Sequence, residues 1–262
     1  MLKDFSKEKF DIIIQGGQSN ACGSGNGSVK EHYEQNDRVW YLNQNFTISQ
    51  AQERVWKDHT SSDFSLEFAR RYIADGWLTE GRSLLIVRAA VGATGFADKR
   101  WGLTDDLFLQ MLEMTRTALA LNADNRFVAF LWHQGEGETG PNADYGTHYN
   151  NLSALVKTVR EEFGWQDLPF VAGNFVELWR KENSGAWEPI VKAMRDVCAE
   201  IGDAAFVETD GLKSNFEEYG AETDPEFTYN DGKDNIHFSR AALYELGGRY
   251  YEAFKSVDCT GY

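Results

Sequence analysis

Apolar positions recur along the chain in two alternating patterns, which predict strands and helices. Short continuous runs rich in Ile, Leu, Val and Ala predict buried strands, and longer segments with apolar residues three or four positions apart predict helices. The predicted strands are 10–15, 82–90, 126–132, 169–174 and 204–208. The predicted helices are 62–74, 105–121, 145–163, 187–201 and 239–254. Ser62 is expected to cap the first helix, and Gly76 and Gly164 are expected to end the first and third.

Repeated alternation of strand and helix predicts a parallel sheet that helices cover on both faces. We therefore expect an α/β fold, a three-layer α/β/α sandwich with a five-stranded parallel sheet. Segments 20–36, rich in Gly and Ser, and 213–233, rich in acidic residues and Gly, predict irregular surface. Neither is long or biased enough to be a linker, so we expect one domain across residues 1–262.

Polar motifs follow three of the predicted strands. Residues 16–19 follow the first strand, residues 91–95 the second and residues 133–136 the third. In a parallel sheet the carboxyl ends of the strands share one edge, and ligands bind beyond that edge. All three motifs are therefore expected on the same rim.

The residue types in these motifs suit acyl transfer. A serine hydroxyl becomes a nucleophile when a base takes its proton, and the base needs a carboxylate to hold its tautomer. Ser19, Asp234 and His237 supply these groups, and Gln134 is a neutral donor for a developing oxyanion. Taken singly, each has an ordinary alternative: a helix-capping serine, a polar residue at a strand end, or a surface histidine. The expected position of Ser19 and Gln134 on one rim, together with the spacing of Asp234 and His237, favours a serine esterase.

Four ordered sequence blocks resemble those of the SGNH-hydrolase superfamily. They are Gly-Gln-Ser-Asn at 17–20, Val-Gly-Ala-Thr at 91–94, Trp-His-Gln-Gly-Glu at 132–136 and Asp-Asn-Ile-His at 234–237. Within the superfamily they are most similar to the sialate O-acetylesterase and acetyl xylan esterase branch, carbohydrate esterase family six. The resemblance runs from residue 11 to 240. It implies a flavodoxin-like sandwich that removes acetyl groups from sugar hydroxyls without a metal or other cofactor.

The resemblance also implies a role for each matching residue. Ser19 matches the nucleophile, and its backbone amide would be one oxyanion donor. Gly92 matches the second donor and Gln134 the third. Asp234 matches the orienting acid and His237 the base.

The chain departs from the family pattern near these residues. Ala93 stands where a second glycine is common, which leaves open whether Gly92 or Ala93 supplies the backbone donor. Gly137 and Glu138 stand where a Ser-Asp pair is frequent. Neither departure removes a catalytic group.

Metal chemistry finds little support in the sequence. His133 and Glu136 form a His-x-x-Glu pair, but no second histidine lies at the spacing of a His-Glu-x-x-His motif. We instead expect Glu136 to support the Gln134 loop through backbone hydrogen bonds. Three cysteines without a Cys-x-x-Cys pair predict neither a disulfide framework nor a zinc site.

The charge balance limits the classes of partner. Lys and Arg total 26 against 41 Asp and Glu, a net charge of -15, which repels nucleic-acid phosphates and anionic membranes. We therefore expect no nucleic acid or membrane as partner, and the family resemblance implies an acetylated saccharide. The first residues lack the uninterrupted apolar core of a signal peptide, which predicts a cytoplasmic protein. A secreted or periplasmic protein is expected if a leader has been removed.

Three functions are compatible with these observations. The first is hydrolysis of O-acetyl groups on xylan-type oligosaccharides or sialic acids through an acetyl-enzyme intermediate. The second is general short-chain carboxylesterase activity, and the lack of a long apolar lid segment favours short acyl groups in both cases. The third is a sugar-binding module without activity, against which the joint presence of Ser19, Asp234 and His237 argues.

Overall fold

A seven-stranded sheet forms the centre of the protein. The structure is a computed structural model, and it describes residues 3–27, 32–56, 59–139, 144–219 and 233–257. In chain order the strands are β1 (Lys9–Gly17), β2 (Gly25–Asn26), β3 (Val39–Leu42), β4 (Ile48–Gln50), β5 (Arg54–Trp56), β6 (His59–Ser62), β7 (Arg82–Ala90), β8 (Arg126–His133), β9 (Phe170–Gly173) and β10 (Ala204–Val207). The helices are α1 (Ser19–Cys22), α2 (Phe64–Ala74), α3 (Asp106–Ala120), α4 (Tyr145–Phe163), α5 (Glu177–Glu182), α6 (Glu188–Glu200), α7 (Asn215–Tyr219) and α8 (Arg240–Ser256). Short 3₁₀ turns occupy Phe5–Lys7 and Glu136–Glu138.

The order of the central sheet is β10-β9-β8-β1-β7-β3-β4. The five predicted strands are β1, β7, β8, β9 and β10, and they pair in parallel, as the α/β class requires. The expected count of five is wrong, because β3 adds a parallel strand beside β7 and β4 pairs antiparallel with β3. Strands of four and three residues are too short to show a periodic pattern, so the sequence did not reveal them. A second small sheet, β2-β6-β5, was missed for the same reason.

The five predicted long helices are all present, and α4 has the predicted bounds. The cap expected at Ser62 is wrong, because Asp63 caps α2 and its carboxylate accepts a hydrogen bond from the Ser65 amide at 2.9 Å. Gly164 ends α4 in the left-handed conformation, as expected for a C-terminal glycine. Among the described helices, none combines the length and apolarity needed to cross a bilayer.

Helices cover the sheet in two layers. The chain crosses from β1 to β7 through α2 in one direction and from β7 to β8 through α3 in the other. Right-handed crossovers in opposite directions place their helices on opposite faces. Accordingly α2 packs against α8, and α4 packs against α6. The direction of the chain therefore reverses at β1, and such a switch point is where open α/β sheets bind ligands.

Asp11 lies at the amino end of β1, away from that rim. Its buried carboxylate contacts Arg82 Nε at 2.6 Å, Arg126 Nε at 2.7 Å and the Tyr72 hydroxyl at 2.8 Å. Arg82 begins β7 and Arg126 begins β8. Asp11 therefore ties together the amino ends of three adjacent strands, a structural role that leaves it out of the candidate site.

Candidate active site

The loops after β1, β7 and β8 are joined by backbone hydrogen bonds at the carboxyl rim. The Gln18 amide donates to the His133 carbonyl at 3.0 Å, and the Val91 amide donates to the Gly17 carbonyl at 3.0 Å. Gly17 has a φ of 130°, and a Cβ there would lie 2.1 Å from the His133 oxygen. Only glycine allows this approach. The close contact explains why a glycine precedes Gln18 and Ser19 at the end of β1.

Ser19, His237 and Asp234 form a continuous hydrogen-bonded line. The Ser19 hydroxyl lies 2.8 Å from His237 Nε2, and His237 Nδ1 lies 2.9 Å from Asp234 Oδ1. Asp234 and His237 are buried, and Ser19 is partly exposed. Because a carboxylate can only accept, Nδ1 carries the proton and Nε2 is left to accept from the serine. This arrangement can move the serine proton to the imidazole as the hydroxyl attacks a carbonyl carbon.

Asn215 holds Asp234 from the side away from the histidine. Its Nδ2 donates to Asp234 Oδ2 at 2.8 Å and to the Ser24 carbonyl at 2.9 Å, and its Oδ1 accepts from the Asn26 amide at 3.0 Å. The amide of Asn215 is thus fixed at both ends and cannot reverse without losing hydrogen bonds. The His237 backbone amide also donates to Asp234 Oδ1, at 3.2 Å. The imidazole Nδ1 contacts both oxygens of the carboxylate. With the donors from Asn215 and the His237 backbone, four hydrogen-bond contacts orient Asp234.

Backbone amides suited to an oxyanion lie beside the serine. Ser19 begins α1, and an amide in the first turn of a helix has no partner within the helix. Gly92 lies next to it, since a Cβ built at Gly92 would be 3.8 Å from Ser19 Cβ. Ala93 has a φ of 57°, a left-handed conformation that glycine adopts more easily. This conformation accounts for the second glycine that is common in the family at that position.

Gln134 is fully buried near the loops that carry Ser19 and Gly92. Its Nε2 lies 3.1 Å from Glu138 Oε1 and 3.3 Å from the Thr94 carbonyl. The contact to Thr94 is long for an N–H···O hydrogen bond, so that hydrogen can turn to a stronger acceptor. The side-chain amide of Gln134 is therefore positioned between a fixed carboxylate and the loop that contains Gly92.

Glu138 binds the loop after β7 as well as Gln134. Its carboxylate accepts from the Phe96 amide at 2.5 Å and from the Ala97 amide at 3.0 Å, and burial raises its pKa. A Cβ at Gly95 would lie 1.9 Å from Glu138 Oε1, so a side chain there would displace the carboxylate from the loop. Glu138, which the sequence showed only as a departure from the family, thus orients the Gln134 amide.

Asn20 connects three of the motifs through one side chain. Its Nδ2 donates to Glu136 Oε1 at 2.8 Å and to the Ile236 carbonyl at 3.1 Å, and its Oδ1 accepts from the Phe238 amide at 3.1 Å. We expected Glu136 to support the Gln134 loop through backbone hydrogen bonds. The structure gives its carboxylate a side-chain partner, Asn20, that the sequence did not indicate. Burial raises the pKa of Glu136.

His133 is a buried, neutral neighbour of the site. Its Nδ1 lies 2.9 Å from the Tyr250 hydroxyl, which itself donates to the Trp132 carbonyl at 2.7 Å. The tyrosine oxygen must therefore accept from His133 Nδ1–H, and burial lowers the pKa of His133 to about 3. Its Nε2 is 3.9 Å from Glu136 Oε1, beyond hydrogen-bond distance. Within the described ranges no cluster of His, Cys, Asp and Glu could hold a metal ion.

The structure brings the five predicted site residues together at one rim: Ser19, Gly92, Gln134, Asp234 and His237. Their catalytic roles stay predictions. Sequence reasoning missed Asn20, Glu138 and Asn215 as supporting residues. Asn20 was part of the first motif, and Glu138 stood out as a departure, so both carried a signal. Asn215 carried none, because its contacts join segments far apart in the chain.

Comparisons with known proteins identify the family of the chain. The sequence model of the carbohydrate esterase, sialic acid-specific acetylesterase family matches residues 9–256. A relative from Escherichia coli K12, named as a probable 9-O-acetyl-N-acetylneuraminic acid deacetylase, is 27% identical over 99 residues. That alignment spans 35% of this chain and 30% of the relative's length.

Solved structures share the fold at low sequence identity. NanS superimposes with a TM-score of 0.80 at 18% identity, covering 95% of this chain and 98% of its own. A protein from Arabidopsis thaliana gives a TM-score of 0.72 at 20% identity, covering 95% and 99%. A carbohydrate acetylesterase from Xanthomonas citri gives 0.59 at 14% identity, covering 94% of this chain and 56% of its own. With the family model matching nearly its whole length, the chain belongs to the carbohydrate esterase family of sialic acid-specific acetylesterases.

Proposed function

We propose that the protein is a serine esterase that removes O-acetyl groups from carbohydrates. The observation that carries this proposal is the line from the Ser19 hydroxyl through His237 to Asp234, with distances of 2.8 and 2.9 Å. A non-catalytic sugar-binding module has no need for a hydroxyl, an imidazole and a carboxylate in that order. The family membership supports an ester of a sugar as the substrate.

In the first half of the reaction, Ser19 Oγ attacks the acetyl carbonyl carbon while His237 Nε2 takes its proton. The carbonyl oxygen becomes an anion among the amides of Ser19 and Gly92 and the side chain of Gln134. Collapse of this intermediate breaks the bond to the sugar oxygen, which leaves with the proton from His237. The products are the free sugar hydroxyl and an acetyl ester on Ser19.

In the second half, water replaces the sugar. His237 takes a proton from water, the resulting hydroxide attacks the acetyl carbonyl, and the same donors bind the second oxyanion. Collapse of the second intermediate releases acetate and returns the proton to Ser19. Asp234 holds the imidazole in one tautomer and stabilises its cation during both halves. No step needs a metal ion or another cofactor.

O-acetylated sialic acid is the substrate that we propose first. The Escherichia coli relative is named for the 9-O-acetyl ester of N-acetylneuraminic acid, and the family for sialic acid-specific acetylesterases. Acetylated xylan-type oligosaccharides are the second candidate, because a shared fold does not fix the sugar.

Purified protein should hydrolyse p-nitrophenyl acetate, and it should release acetate from O-acetylated sialic acid faster than from acetylated xylo-oligosaccharides. Acetate release and loss of the acetyl signal in NMR spectra measure both sugar reactions. p-Nitrophenyl butyrate and octanoate serve as controls for acyl-chain preference. Equal rates on all the p-nitrophenyl esters, with no activity on either sugar, would indicate a general carboxylesterase. No turnover of any ester would rule out the proposed function.

Replacing Gln134 with alanine should lower kcat by about 10²–10³, the range seen when one donor is removed from an acyl-transfer site. The carbonyl oxygen becomes a strong acceptor only as it turns anionic, so the contact should form mainly in the transition state and leave KM little changed. Steady-state kinetics on p-nitrophenyl acetate would measure this. Gln166→Ala, an exposed glutamine in the loop before β9, is the matched control. A rise in KM alone would mean that Gln134 binds substrate and that backbone amides alone hold the oxyanion.

A further inference from the structure

A cavity lies along the same rim, one strand away from the nucleophile. Its volume is about 520 Å³, within the range of small-molecule sites. On one side it is lined by the turn that joins β3 to β4, residues 43–47, and on the other by Cys22, Arg54, Arg88 and Ala90. We call it the turn cavity. No step of the proposed reaction uses these side chains.

The turn cavity is next to the candidate active site. Cys22 is the last residue of α1, the helix that Ser19 begins. Ala90 ends β7 and directly precedes the loop that carries Gly92. Because Gly92 lies beside Ser19, a ligand in the cavity and an ester at the serine can belong to one molecule.

Arg88 presents a fixed guanidinium to the cavity. Its Nη2 donates to the Cys22 carbonyl at 2.7 Å and lies 3.5 Å from Asp63 Oδ2. Its Cζ lies 4.5 Å from the centre of the Tyr41 ring, a cation–π contact that holds the plane of the group. Nε and Nη1 make no hydrogen bond to the described residues, and 30% of the side chain is exposed. Two donors therefore remain available to a ligand.

Arg54 adds a second positive charge with weak attachments. Its contacts to Ser61 Oγ and to the Gly23 carbonyl are long, at 3.4 and 3.5 Å. No carboxylate of the described residues lies within ion-pair distance of it. Burial raises the pKa of the Cys22 thiol to about 11, so the thiol carries no opposing charge. In a chain with a net charge of -15, this is a locally positive cavity.

The turn that closes the cavity is fixed and carries an exposed aromatic ring. Gln44 Nε2 donates to the Ala90 carbonyl at 2.6 Å, which holds the turn against β7. Phe46 has a φ of 63°, in the left-handed region that bulky residues avoid, and it is 42% exposed. Its neighbours Asn45 and Thr47 both line the cavity. Phe46 is therefore a strained, exposed residue between two lining residues, which is compatible with a binding role because strain collects at ligand sites.

We propose that the turn cavity is a subsite for the carboxylate of an acidic sugar whose acetyl ester reacts at Ser19. This proposal rests on the proposed function and deepens it. A guanidinium binds a carboxylate through charge-assisted hydrogen bonds, and Arg88 Nε and Nη1 have no hydrogen-bond partner among the described residues. Arg54 adds charge, and the side-chain amides of the turn offer hydrogen bonds to sugar hydroxyls. A neutral sugar would desolvate Arg54 without pairing its charge, which disfavours a xylan-type substrate here.

The test compares Arg54→Gln and Arg88→Gln on a charged and an uncharged ester. On O-acetylated sialic acid we expect kcat/KM to fall by about 10- to 100-fold through a higher KM, as for loss of a charge-assisted hydrogen bond. On p-nitrophenyl acetate, which has no carboxylate, we expect a change below about threefold, because the reacting groups are untouched. Arg195→Gln is the matched control, since Arg195 pairs with Glu208 beside β10 at the far edge of the sheet.

Two further measurements separate folding and chemistry from the subsite. Arg88 packs against Asp63 and Tyr41, so Arg88→Lys keeps the charge and removes the planar guanidinium donors, and it should lose affinity for the acidic ester alone. Calorimetric binding of unacetylated N-acetylneuraminic acid to Ser19→Ala, with and without Arg54→Gln, needs no turnover. Equal losses on both esters, or binding that Arg54→Gln leaves unchanged, would overturn the subsite. Absence of turnover with arginine-dependent binding would overturn the proposed function and keep the subsite.

Discussion

Replacing Ser19 with alanine is expected to reduce hydrolysis of acetyl esters by at least about 10³-fold. Without the hydroxyl no acetyl-enzyme can form, and only the oxyanion donors and substrate binding remain to favour attack by water. The fold should survive, because Ser19 is partly exposed and the only hydrogen-bond contact its hydroxyl makes among the described residues is to His237. Initial rates on p-nitrophenyl acetate and circular dichroism of the purified variant would measure both expectations.

Ser24→Ala is the matched control for this experiment. The Ser24 hydroxyl lies in the same loop and donates to the Ser19 carbonyl at 3.0 Å, and it makes no contact with His237. Its removal costs one ordinary hydrogen bond, about 1 kcal/mol of stability, and leaves the nucleophile in place. Near-wild-type turnover by Ser19→Ala would contradict the nucleophile assignment, and an equal loss in both variants would point to a disturbed loop.

The sequence was most informative where a motif follows a buried strand. The apolar runs of β1, β7 and β8 located three carboxyl ends, and parallel pairing brings such ends to one rim. That argument alone placed Ser19, Gly92 and Gln134 near one another before any distance was known. Strands β3 and β4 were not predicted, because strands of four and three residues are shorter than the pattern needed to recognise them. The turn between them nevertheless lines one side of the turn cavity.

The two glutamates after Gln134 show a limit of sequence reasoning. Glu136 and Glu138 lie two positions apart, and only the first was given a supporting role from the sequence. Gly135, with a φ of 148°, directly precedes the 3₁₀ turn Glu136–Glu138. Residues two apart in a 3₁₀ turn point in different directions. Glu136 therefore binds Asn20, and Glu138 binds Gln134. Which carboxylate orients the glutamine depends on this turn, and no local pattern of polar and apolar residues encodes it.

Replacing Asp234 with asparagine is expected to lower kcat by about 10⁴-fold, the loss typical when the carboxylate of a serine–histidine–aspartate site becomes an amide. Asn215 determines how the new side chain must lie. Its Nδ2 donates towards Asp234 Oδ2, and its other contacts, to Ser24 and to Asn26, prevent it from reversing. The amide oxygen of the substituted residue is expected to face Asn215, whose contact at 2.8 Å is shorter than that of the His237 backbone amide at 3.2 Å, and its NH₂ group then faces His237.

An NH₂ group facing His237 Nδ1 makes that nitrogen an acceptor and moves the imidazole proton to Nε2. A protonated Nε2 cannot accept the hydrogen of the Ser19 hydroxyl, 2.8 Å away, so the base is lost although every heavy atom stays in place. Histidine ring signals in ¹⁵N NMR spectra would report the tautomer, and steady-state kinetics the rate. Asp210→Asn, the same chemical change at an exposed partner of Arg180, should leave both unchanged. A kcat for Asp234→Asn within about tenfold of wild type would contradict the role of Asp234 in setting the tautomer.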